Sequence, residues 1–200
     1  TIPHFTARLR FGSALAANGD AGAALTATHL SAAAAGLTWG AWEWGRFGRI
    51  SMVGLVTGVI AGLATVTPAS GYVGPAGGLV LGVCGATVCF LAVELVKHRW
   101  RVDDSLDVFA VHGVGGIVGT LLVAGLAGAR LGGVGYGVTG GPSGQVLVQL
   151  TGVAATCAWS GVMTLVILFV VRRVTGLRAR DEEIEDGLDL SQHGERSYPS

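Results

Sequence analysis

Apolar runs of about 17 to 27 residues, parted by short charged segments, set the limits on what this chain can become. Runs of that length match the hydrocarbon core of a bilayer, which about 20 apolar residues cross as a helix. A 200-residue chain has room for an ordinary soluble core. Its charge is distributed otherwise. Only 13% of residues are charged, where a soluble domain carries about 25%, and mean hydropathy is +0.59. These features imply an all-α integral membrane protein with the lipid bilayer as its surroundings. Formal net charge is zero, which offers no electrostatic footprint for nucleic acid.

About five transmembrane helices are expected: 22–44, 51–66, 73–96, 108–127 and 145–171. The second is short and is followed by Pro68. A residue before proline avoids helical geometry, so that helix should end near Val66. The first connection carries Arg46 and Arg49, and the third carries Lys97, Arg99 and Arg101. Arg172, Arg173, Arg178 and Arg180 follow the fifth span, whereas the second connection has no basic residue and the fourth only Arg130. This alternation places the basic connections and the C-terminal tail in the cytoplasm. Residues 1–11 stand apart, with two arginines and no sustained apolar run; residues 12–175 are the expected transmembrane part, and residues 176–200 a polar, acidic tail.

The polar groups inside the spans are few. Ionisable side chains there are costly and usually face a bundle interior or a water-filled path. His112 is the sharpest case, in "DVFAVHGVGGIVG". At helical spacing it shares a stripe with Val108, Gly116 and Gly119. A core histidine bonded to a neighbouring helix is the plainer alternative. Asp107, five residues earlier, would sit about 140° away around an α-helix. It therefore reads as a helix cap, with Asp103 and Asp104 as further candidates. His29 has Thr26 and Thr28 as nearby partners. Trp39, Trp42 and Trp44 read as an interfacial belt, with Glu43 among them reaching headgroups or a loop amide.

Chemistry of other kinds finds little support. Cys84, Cys89 and Cys157 have neither zinc nor disulfide-frame spacing. Ser13, Ser70 and Ser160 lack a nucleophile elbow or an adjacent histidine. "GPAGG" and "GVGG" lack the strand context and G-K-[ST] ending of a phosphate loop. No cofactor, metal or enzymatic activity is expected.

Three separated motifs resemble the ammonium transporter family of the ammonium transporter/Rhesus superfamily. They are "GVIAGLATVTPASGYVGPAGGLVLG" (58–82), "DDSLDVFAVHGVGGIVGTLLVAGLA" (103–127) and the tail "GLRARDEEIEDGLDLSQHGERSY" (176–198). Members of that family have eleven spans, in two inverted five-span repeats and a final helix. The resemblance implies that this chain is a C-terminal half: an incomplete second repeat plus the final helix. It implies transport of ammonium or ammonia through a histidine-lined hydrophobic pore. His112 would be the second pore histidine, Val108 its apolar neighbour, and Ser13 the outer-vestibule serine. Leu9 stands where the family has a gating phenylalanine, and His29 where members often have asparagine. The resemblance further implies a homotrimer in the inner (plasma) membrane. The tail would be cytoplasmic and regulatory, with Gly187, Leu188, Asp189, His193, Gly194 and Glu195 as its motif residues and a P-II-type signal protein as a partner. The alternative is a non-conducting remnant or a regulatory or structural membrane subunit of the same family.

Overall fold

The computed structural model describes residues 19–195 and contains no strand among them. Helix α1 spans Gly19–Phe47, α2 Met52–Val66, α3 Pro75–Glu94, α4 Val114–Leu126, α5 Pro142–Val174 and α6 Asp181–Asp186. Three π-helical segments adjoin them. Leu95–Arg99 extends α3, Val108–Gly113 leads into α4, and Asp189–His193 follows α6. Helices stand where the five apolar runs lie. Helix α2 ends at Val66, before Pro68, as the proline requires. Pro75 opens α3 in its first turn, where its missing N–H costs nothing.

Three helical stretches are long and apolar enough to cross a membrane by length and composition: Pro75–Arg99, Val108–Leu126 and Pro142–Val174. The other two differ for separate reasons. Helix α2 has only 15 residues, about 22 Å at helical rise against a hydrocarbon core of about 30 Å. Helix α1 is long at 29 residues, but it spends positions on Thr26, Thr28, His29, Ser31 and Thr38.

The chain falls into two compact units, divided between Val153 and Ala154. In the first unit, α1, α2 and α3 pack on one another, and α4 packs on α2 and α3. The packing depends on glycine. Ser31 of α1 is fully buried, and its hydroxyl donates to the Gly62 carbonyl of α2 at 2.9 Å. A Cβ placed on Gly62 or on Gly82 of α3 would lie 3.0 Å from the Ser31 carbonyl carbon, so both helices press against main chain. Small residues allow such approach where no hydrophobic force joins helices in lipid. Two apolar clusters flank this seam. One joins Ala27, Val66, Val73, Leu81 and Val123. The other joins Ala35, Trp39, Ala86, Cys89, Phe90 and Val111.

Trp39 departs from the belt expected of it. It is 4% exposed and meets Phe90 edge-on at 5.2 Å. Trp42 stacks on the same ring at 5.8 Å and donates from its indole to Thr87 Oγ1 at 3.2 Å. Trp44 remains exposed. Periodicity explains the split, because three tryptophans at positions 39, 42 and 44 cannot share one helical face.

In the second unit, no residue of α5 is buried. Arg173 lies over the Phe169 ring at 4.7 Å. Beyond it, Gly187 takes φ +87° and Gly194 φ +67°, left-handed values that favour glycine. The first reverses the chain between α6 and the last π segment. There Ser191 Oγ donates to the Gly187 carbonyl at 3.0 Å, and the Glu195 amide to the Asp189 carbonyl at 3.0 Å. Leu188 and Leu190 are exposed, and His193 ends the π segment. The tail's charges pair locally: Arg178 with Asp181 at 3.7 Å and Arg180 with Glu183 at 3.0 Å.

Candidate pore-lining site

His112 lies in the π segment Val108–Gly113, two residues before α4 begins at Val114. The π bonding pattern runs from residue i to i+5, unlike the α pattern assumed in placing the stripe. The consequence shows in burial. Ala110, Val111, Gly115 and Gly119 face inward, while Val108, Phe109 and His112 are exposed. Gly119 therefore belongs to the packed side. A Cβ there would press on the Thr65 main chain of α2, whereas a Cβ on Gly116 would meet nothing within 4 Å. A Cβ on Gly115 would lie only 3.2 Å from Thr65 Oγ1 and 3.3 Å from Cys89 Sγ. The Cys89 thiol in turn donates to the Val111 carbonyl at 3.6 Å, one residue before His112. His112 makes no hydrogen bond or ion pair among the described residues and stands on the uncovered side of the helix with Val108.

The π segment is held at its start by two acids with different tasks. Asp104 is the cap. Its carboxylate accepts the amides of Val108 at 2.8 Å, Phe109 at 3.0 Å and Ala110 at 3.3 Å. Asp107, favoured for that task from sequence, makes no side-chain bond to the helix. Its backbone is left-handed, φ +55° and ψ +29°, and its Oδ1 lies 2.8 Å from Lys97 Nζ. That contact has ion-pair distance without hydrogen-bond alignment, and Oδ1 is buried. The correction has a geometric cause: the chain bends left-handed at Asp107, which aims its carboxylate back toward α3. The 140° separation from His112, calculated for an α-helix, does not hold across a π turn, though no bond joins the two. Asp103 is exposed and makes no side-chain bond among the described residues.

In the sequence Lys97 stands as one of the basic residues that mark topology. Nothing in its sequence position reveals that the π turn Leu95–Arg99 brings it against Asp107. Nearby, a cavity of about 190 Å³ is lined by Trp39, Glu43, Phe90, Glu94 and Asp107. Its acids are engaged. Glu43 accepts the Ser51 amide and hydroxyl, and Glu94 pairs with Arg46 at 2.7 Å. No group of three potential metal ligands converges among the described residues. His29 is exposed on α1. The threonines expected to partner it donate instead to their own helix, Thr26 to Gly22 and Thr28 to Ala24. Ser13 and Leu9 lie outside the described residues.

The family model described as "Ammonium Transporter Family" matches residues 9–198. The chain belongs to the ammonium transporter family. Among its relatives, "Ammonium transporter" of Aquifex aeolicus is 42% identical over 187 residues, covering 94% of this chain and 44% of that protein. "Ammonium transporter Amt1" of Archaeoglobus fulgidus is 42% identical over 188 residues, covering 94% and 47%. The chain thus spans less than half the length of these family members. Solved structures agree in fold. A "Sensor Amt Protein" superposes with a TM-score of 0.79 at 27% identity, covering 88% of this chain and 42% of that one. Mep2 of Candida albicans superposes with a TM-score of 0.72 at 37% identity, covering 82% and 38%. Family membership makes this an integral membrane protein.

Proposed function

We propose that this chain supplies the second half of an ammonium-conducting pore, with His112 and Val108 lining it and Ser13 at the outer vestibule. The family match over residues 9–198 carries this reading. The uncovered position of His112 supports it physically. A neutral imidazole both donates and accepts a hydrogen bond, so it can guide a molecule that has shed its proton. Moving the ion through a dry passage would cost far more. An imidazole exposed on one side of a half-length chain needs a second half to enclose it. In this reading the chain is a transporter and not an enzyme, and the assembled protein is a homotrimer in the inner (plasma) membrane. The tail, including Gly187, Leu188, Asp189, His193, Gly194 and Glu195, is cytoplasmic and regulatory. A P-II-type signal protein is its partner there.

The test compares two proteins in liposomes loaded with a pH dye. One is the 200-residue chain alone. The other is a chimera joining it to the N-terminal half of the Aquifex aeolicus relative. An inward ammonium gradient should change internal pH in chimera vesicles and leave vesicles of the chain alone like empty ones. A saturable response from the chain alone would overturn the need for a second half. A silent, correctly inserted chimera would favour the non-conducting reading.

A further inference from the structure

Two non-glycine residues among those described adopt left-handed backbone, Arg101 and Asp107, and both lie in the connection between α3 and α4. Such conformations persist where the surroundings over-determine them, and they gather at functional positions. Asp107 is held on every side. Its amide donates to the Asp104 carbonyl at 3.0 Å, its carbonyl accepts the Val111 amide at 2.8 Å, and its carboxylate meets Lys97 at 2.8 Å. Lys97 itself belongs to a π turn, Leu95–Arg99. The ion pair therefore ties one π segment to the start of another, and His112 lies five residues beyond the tie. The Asp107 carbonyl holds the amide of Val111, the residue before His112, so the backbone at residue 107 sets the rotation at which the chain reaches residue 112.

We propose that Lys97 and Asp107 are positioning residues for His112. Their ion pair holds the left-handed turn that starts the π segment, and so keeps the imidazole on the open side with Val108 rather than turned into the packed face beside Cys89 and Thr65. Asp104 holds the amides of Val108, Phe109 and Ala110 but leaves the direction of entry to Asp107. The positioning itself needs no transport. Its consequence for selectivity rests on the pore reading given above.

The experiment uses the full 200-residue chain in lipid nanodiscs with isotope-labelled histidine, read by the imidazole resonances. The variants are Lys97→Met, Asp107→Asn, the two combined, and Lys97→Arg. Asparagine tolerates left-handed backbone, so Asp107→Asn removes the charge and keeps the turn accessible. Each single variant should shift the His112 resonances while leaving those of His29 in place. The double variant should add little, because the two changes break one interaction, and Lys97→Arg should restore the wild-type position. Lys97 is partly exposed; if Lys97→Met does not fold, Asp107→Asn decides by the same comparison. Unmoved His112 resonances in a folded single variant would overturn the proposal. So would a parallel shift at His29, which marks general loosening. In the chimera, the same single variants should narrow the ratio of ammonium to methylammonium uptake, and Lys97→Arg should recover it. A wild-type chimera that carries nothing would defeat the pore reading, while the resonances still decide the positioning.

Discussion

Glu43 closes the turn between α1 and α2 by accepting both the amide and the hydroxyl of Ser51, at 2.8 and 3.0 Å. The Ser51 hydroxyl then accepts the Gly54 amide at 2.8 Å, which caps α2. One carboxylate thus supports a cap it does not itself make. Losing a serine cap costs about 1 kcal/mol. Ser51→Ala should lower stability by about that amount, and Glu43→Ala by about 1–2 kcal/mol, since it strips partners from two donors. The double variant should fall well short of the sum. Denaturation of the detergent-solubilised protein, followed by tryptophan fluorescence, would measure all three.

Glycines in this chain should divide sharply in tolerance. Gly82→Ala sets a methyl against the Ser31 main chain, which cannot move aside as a flexible side chain would. Overpacking of this kind costs about 1–3 kcal/mol. Gly152 in α5 has nothing within 4 Å of a Cβ, so Gly152→Ala should stabilise by about 0.5–1 kcal/mol through helix propensity. Equal effects at the two positions, read as thermal midpoints in the same detergent, would contradict the packing described.

His112→Ala in the chimera should abolish selective uptake. If a partner histidine shares its hydrogen bond, removal leaves a polar group unsatisfied in a dry passage, at about 1–3 kcal/mol. Uptake of ammonium and methylammonium with unchanged rates would remove His112 from the pore lining.

The tail carries a pH dependence of definite sign. Hydrogen bonds from the Arg180 guanidinium and the Arg180 amide hold Glu183 below the ordinary carboxylate range. A lowered folded-state value means the contribution is complete above the unfolded value, about pH 4.3, and is lost as pH falls through the folded one. Amide exchange across Asp181–Asp186 should therefore be flat from neutral pH to about 5 and accelerate, relative to intrinsic rates, below about 4. Glu183→Gln should blunt that acid step. A steep change between pH 6 and 8 would assign the dependence to another group.

Much of the fold was legible because hydrophobic length and proline act locally. The end of Met52–Val66 could be set from Pro68, while the serine cap at its start shows only in the structure. Family membership was legible from three motifs, each long enough to be specific. What stayed hidden depends on chain path. Asp103, Asp104 and Asp107 are equivalent in a string of letters. Which one caps is decided by the left-handed bend at Asp107. The π turns escaped for a similar reason, since segments as different as LVKHR, VFAVHG and DLSQH share no mark of the wider turn. Trp39 was misplaced because tryptophan near a helix end suits a core as well as an interface.

Ser31, pinned between Gly62 and Gly82, has a mechanical meaning. A contact built from side chains can creep, because rotamers exchange and a core can settle into another arrangement. A contact of backbone on backbone has no rotamers to exchange. The three helices that meet there press main chain on main chain, which leaves little room to slide past one another. Slow shape changes in this unit are then left to the connections at its rim, and where Lys97 grips Asp107 one of those connections is itself pinned.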